Sequence, residues 1–123
     1  MANPNIVAVT SIYGSTSYLI PSTTAATTWT ALTPATNTVN KIDNIVASNV
    51  TSSAATVTVS INSATGGAGT AYRIAYQISV PPNASLIITD KTTAFYVGES
   101  QSVVVTVGTA SAIELTASLE AIS

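Results

Sequence analysis

Asp43, Asp90, Glu99, Glu114 and Glu120 are the first side chains to weigh for chemistry, because a pair of carboxylates can work as acid and base. Glycosidase chemistry needs two of them held on opposite sides of a cleft. Nothing in their spacing brings a pair together, and they read as solvated groups at strand edges, where charge discourages aggregation. Asp90-Lys91 reads as a turn with a local ion pair, which contributes little. With no histidine in the chain, neither a Ser-His-Asp triad nor a Cys-His pair can be built. With no cysteine, disulfides, thiolate metal sites and thiol redox chemistry are excluded. The run Thr65-Gly66-Gly67-Ala68-Gly69 has the glycine content of a phosphate cradle. It lacks a P-loop lysine, and no helical pattern follows to supply an N-terminal dipole. It reads as a plain loop, the most flexible of the chain. No catalytic residue, cofactor or metal is expected, and the chain reads as a non-enzyme.

The aromatic side chains offer binding rather than catalysis. Trp29, Tyr13, Tyr18, Tyr72, Tyr76, Phe95 and Tyr96 could form a sugar-stacking platform. Tyr72 and Tyr76 fall on the apolar side of an alternating segment and read as core. Trp29, set among threonines, reads as a core anchor or an interface hot spot. Arg73 could pair with a carboxylate of a neighbouring subunit, where its planar fork is favourable, or stand in solvent. With Asn3, Pro4 and Asn5, these two complete the candidate interface residues. Asn49-Val50-Thr51 and Asn83-Ala84-Ser85 match the glycosylation sequon. No export signal is visible in Met1 to Ile12, so both sequons read as chance.

The elements that must position these residues read as strands. The 123 residues are 46% hydrophobic and only 7% charged, against about 25% charged in ordinary domains. Thr, Val, Ile and Tyr suit a pleated, half-buried surface. From Ala71 to Val80, Tyr72, Ile74, Tyr76, Ile78 and Val80 alternate with smaller or polar residues, a period of two. Thr56–Ile61 and Ile113–Glu120 alternate likewise. Gln101–Val107 is nearly continuous in apolar character, as in a central strand covered on both sides. Further strands are expected at Ile6–Tyr13, Ser17–Ile20, Thr27–Leu32, Val39–Val50, Ser85–Thr89 and Ala94–Val97. Gly98-Glu99-Ser100 and Gly108-Thr109-Ala110-Ser111 read as hairpin connections. Short strands with frequent turns imply an all-β, single-domain antiparallel β-sandwich over 1–123, with a jelly-roll-like arrangement favoured over an immunoglobulin-like one. Residues 1–5 read as a candidate N-terminal arm.

A net charge of −2 steers no partner, and three scattered basic residues make no phosphate-tracking stripe. No apolar run approaches the length of a spanning helix. Neither nucleic acid nor membrane is expected. The few charges are expected mainly at turns and chain ends, leaving neutral strand faces that a neighbour can cover with little desolvation cost. Self-association as a dimer or trimer is expected.

Met1-Ala2-Asn3-Pro4-Asn5-Ile6-Val7, Ile45-Val46-Ala47-Ser48-Asn49-Val50 and Ser79-Val80-Pro81-Pro82-Asn83-Ala84-Ser85-Leu86 resemble stretches of small virion proteins of tailed phages, in particular marine and cyanobacterial phages. Asp90-Lys91, Gly98-Glu99-Ser100 and Ala121-Ile122-Ser123 fit that group's final third, although its turn and C-terminus are more acidic. The resemblance implies a non-enzymatic virion component. The expected role is a capsid cement or decoration protein that binds the major capsid protein and bridges capsomers, assembled in the host cytoplasm and carried in the virion. Neck, tail, baseplate or fibre attachment is the alternative. A carbohydrate-binding module using Trp29 and the tyrosines is more distant.

Overall fold

Alternating β-branched and small polar residues leave each strand with one face that water disfavours, and two sheets closed over those faces bury them together. The computed structural model describes residues 8–123. It contains strands β1 (Ile12–Leu19), β2 (Thr27–Thr28), β3 (Val39–Asn49), β4 (Ala55–Asn62), β5 (Ala71–Val80), β6 (Ser85–Thr89), β7 (Phe95–Val97), β8 (Ser102–Val107) and β9 (Ile113–Ile122). One sheet runs β1-β9-β3-β6, with β7 also pairing β3, and the other runs β2-β8-β4-β5. All the pairings are antiparallel, and the fold is the expected all-β sandwich.

Several expected boundaries move. Ile12–Leu19 is one strand running through Gly14 and Ser15, where two strands with a break were expected. The Thr27–Leu32 segment pairs only at Thr27 and Thr28, then tightens into a 3-10 turn at Thr30–Leu32. That turn buries Trp29 and Leu32 between the sheets. Gly98–Ser100 and Gly108–Ser111 are not hairpin loops, because β7 and β8, and likewise β8 and β9, lie in different sheets. They carry the chain across the sandwich.

The core needs no charge. Ile42, Ile45, Ala47, Leu115, Ala117 and Leu119 from the β3–β9 ladder face Val57, Val59, Val103, Val105 and Val107 from the other sheet. Trp29 closes one side at 1% exposure. Its indole N–H donates to Ser17 Oγ at 3.0 Å, and its backbone N–H donates to the Val103 carbonyl at 2.8 Å. β8 is buried along nearly its whole length, as its apolar run implied. Its second face is covered by the glycine loop. Gly67 N–H donates to Ser102 Oγ, which donates to the Ala64 carbonyl. Asn62 Oδ1 accepts from Ala64 and Gly69. The loop expected to be most flexible is therefore tied down at several points.

Two stability predictions follow from this packing. Trp29→Ala should cost about 3–5 kcal/mol in denaturant unfolding, the range for deleting a large buried aromatic. Gly66 and Gly67 both have positive φ, at 63° and 72°, so alanine at either should cost roughly 1–2 kcal/mol in backbone strain. A Cβ on Gly67 would also lie 3.2 Å from Thr28 Oγ1 and Val104 Cγ2, while one on Gly66 meets nothing within 4 Å. Gly67→Ala should therefore be the more destabilising of the two in paired thermal melts.

Candidate assembly interface

β5 departs most from its sequence pattern. Residues directly opposite in an antiparallel pair share a face. Val57 opposes Ile78, Val59 opposes Ala75, and Ser60 opposes Arg73. β5 therefore carries one extra residue between Ile78 and Ala75, and another between Ala75 and Arg73. Each bulge flips the side-chain alternation. Gln77 takes φ of 48° at the first bulge, and its N–H donates to Thr58 Oγ1. The single apolar stripe expected over Tyr72–Val80 is thus broken, and β5 ends its sheet with no strand beyond it. Tyr72 is 62% exposed and Tyr76 56%, so the expectation that both belong to the core is corrected. Sequence alternation could not show this, because bulges leave no mark in apolar periodicity.

Arg73 is exposed on β5, and its guanidinium lies 5.2 Å from the Tyr76 ring centroid. Within the chain it meets an aromatic face and not a carboxylate. Trp29, the other central candidate, is enclosed by the core. Asn3, Pro4 and Asn5, and the N-terminal arm of residues 1–5, lie outside the described residues.

The outer face of the larger sheet holds a second exposed apolar feature. Tyr18 opposes Thr116, Thr116 opposes Val46, and Val46 opposes Ile87, so one row crosses four strands. Its two ends, Tyr18 and Ile87, are exposed at 74% and 64%. Tyr13, also on β1, is 71% exposed. Charge shares this face: Glu114 lies two residues from Thr116 on β9, and a cluster lies towards the other end of the β3–β9 ladder. Lys41 Nζ lies 3.8 Å from Asp43 and 3.9 Å from Glu120. Lys41, Arg73, Asp43, Glu114 and Glu120 are all strand residues, so the expectation that charges gather at turns and ends is corrected. A partly exposed pair of this kind adds little stability.

The remaining acids do structural work. Asp90 does not pair with Lys91. Its carboxylate accepts from the Thr92 hydroxyl at 2.6 Å and the Thr92 N–H at 3.0 Å, capping the Lys91–Thr93 turn. These bonds, the Thr92 hydroxyl first, hold its pKa below the ordinary carboxylate range. Its stabilising contribution is present above the unfolded pKa and is lost as pH falls through the lowered folded value. Glu99 is buried, contrary to its reading as a solvated edge residue. One of its oxygens accepts from the Asn37 N–H, and the other, Oε2, has no partner.

No arrangement among the described residues resembles a reaction centre. A cavity of about 410 Å³ opens beside β1, lined by Tyr13, Ser15, Ala31, Thr33, Asn40 and Leu119 among others, with no acidic or basic side chain in its lining. No group of three or more metal-ligating acids occurs among the described residues. None of their helices is long and apolar enough to cross a membrane. The Asn49 sequon is occupied by the fold itself. Its amide donates to the Ser53 and Val80 carbonyls and accepts from the Thr51 N–H and hydroxyl.

No family model and no curated protein matches the chain. Among solved structures, the chain is similar to a subunit of Bacillus endospore appendages, described as forming a novel family of disulfide-linked pili. The match has 17% identity and a TM-score of 0.49, over 99% of this chain and 92% of that one. The expected phage role is corrected by this finding, since the neighbour is a bacterial spore pilus and not a virion protein. That correction covers capsid cement and its neck, tail, baseplate and fibre alternatives. The motifs behind the expectation fall in ordinary parts of the fold where they are described. Ile45–Asn49 is the C-terminal end of β3, Pro81–Ala84 is the connection from β5 to β6, and Met1–Val7 lies outside the described residues. The first two are strand and turn sequences that many β-sandwiches could use.

The orphaned Glu99 oxygen gives a test of what that acid does. Glu99→Gln keeps an acceptor for Asn37 and removes a buried charge, so the variant should melt at or above the parent temperature. Glu99→Ala leaves the Asn37 N–H without its acceptor and should lose about 1–3 kcal/mol. A Gln variant as damaged as the Ala variant would contradict this assignment.

Proposed function

We propose that this chain is a non-catalytic structural subunit that works by associating with copies of itself. The observation that carries this reading is the placement of its tyrosines. Tyr13, Tyr18, Tyr72 and Tyr76 stand more than half exposed on two strands at sheet edges, although the core is already complete without them. Apolar area removed from water contributes about 25 cal/mol per Å², so covering each ring in an assembly is worth on the order of 1–2 kcal/mol. The surrounding Ser, Thr and Ala surface adds little opposing desolvation, whereas buried unpaired charge would add a great deal.

Sedimentation equilibrium of the full chain from low to several hundred micromolar tests the proposal. The apparent mass should rise above the 12.4 kDa of one chain as concentration increases. A mass that stays at one chain throughout would refute it.

A further inference from the structure

The two sheets end in four edges: β1 and the β6–β7 side of one, and β2 and β5 of the other. A free strand edge recruits further strands unless it is short, charged, bulged or interrupted. Three of the four edges are guarded in these ways. β2 has two residues. β5 carries two bulges and Arg73. The β6–β7 edge is cut by the Asp90–Thr93 cap, and β6 shifts register against β3 between Ile45 and Val46. Among the described residues, β1 has no such guard. Its eight residues pair with β9 in unbroken register and include neither charge nor proline.

The ladder also shows which groups of β1 are free. Ser11 and Ser123 exchange both backbone hydrogen bonds, each at 3.0 Å. Antiparallel pairs alternate between bonded and non-bonded. Tyr13, Ser15, Ser17 and Leu19 therefore bond to β9, while Ile12, Gly14, Thr16 and Tyr18 direct their N–H and C=O groups away from it. All four of the latter residues are exposed.

We propose that a second copy of this chain occupies that edge, with β1 running antiparallel to β1 and joining the two larger sheets into one. This rests on the self-association reading above and names its surface. Opposed residues must share a face, and all four outward residues are used when Ile12 meets Tyr18 of the second copy and Gly14 meets Thr16. The two-fold axis then passes through Ser15. Charge permits the contact, because β1 carries none, and Glu120, opposite Gly14, is held by Lys41. Among the described residues no other edge is unguarded, so this ladder ends at two copies. Tyr13 and Tyr18 lie on the joined strands, while Tyr72 and Tyr76 on β5 lie outside the junction. Eight residues span about 26 Å. The junction therefore buries on the order of a few hundred Å² per copy, below the roughly 800 Å² of a standard interface. A junction of that size gives a dimer in exchange with monomer.

Two variants of the full chain test this. Thr16→Pro removes an outward N–H near the centre of the junction, where an edge strand tolerates proline. It should weaken dimerisation by about tenfold or more with an unchanged far-UV circular dichroism spectrum. Ser15→Cys introduces the only thiol. Across the axis the two Cα atoms would lie about 4.5 Å apart, within disulfide range, so mild oxidation should give a covalent dimer. Ser79→Cys on β5 should not. If Thr16→Pro fails to fold, cross-linking decides alone. A parent dimer that gives no Ser15→Cys cross-link overturns the β1 junction and leaves self-association standing. A parent that is monomeric at every concentration overturns both.

Discussion

Everything in the larger sheet hangs on the ladder between β3 and β9. Ten residues of each strand are paired, from Val39 with Ile122 to Asn49 with Ile113. The inward side of this ladder supplies Ile42, Ile45, Ala47, Ile113, Leu115, Ala117 and Leu119 to the core. β1 attaches only to β9, and β6 and β7 attach only to β3, so each depends on that central pair. The ladder also fixes the second sheet. Asn49, at its end, donates to the Val80 carbonyl where β5 finishes, and the Val50 N–H, bonding to the Ala112 carbonyl, extends the ladder itself by one step. With no disulfide and no metal cluster among the described residues, hydrophobic burial and backbone pairing carry the stability.

The sandwich was legible in the sequence because apolar patterning, alternating in β4 and β9 and continuous in β8, marks the strands that lie inside a sheet. β3, β4, β8 and β9 match their expected ranges to within two residues. The failures cluster at edges and connections. Gly14 and Ser15 look like a break, yet an edge strand can pass through them, since only one side of it must pair. In β5 the alternation is present in the sequence but is cancelled by bulges, which are settled by how the strand fits β4. The Gly98 and Gly108 turns look like hairpins because sequence records a reversal and not which sheet the next strand joins. Glu99 shows the same limit for the candidate site. Its type predicts exposure, and only the arrangement around Asn37 shows it buried.

Sparse charge acquires a different meaning once the strands are placed. The charges do not withdraw from the faces. Lys41, Asp43 and Glu120 gather on one part of the larger sheet, where one lysine stands between two carboxylates. Arg73 guards the edge of the smaller sheet, and Asp90 and Lys91 interrupt the far edge of the larger one. With so few charges available, where each one stands decides which edges remain open. A protein with an ordinary complement of charge could guard all four edges at no sacrifice elsewhere. Here the guards are distributed over three, together with bulges and a very short strand. The fourth edge, β1, combines regular geometry with an uncharged surface. In a β-protein that combination is a liability unless another strand meets it, and the neutral, tyrosine-bearing surface around it is suited to that contact.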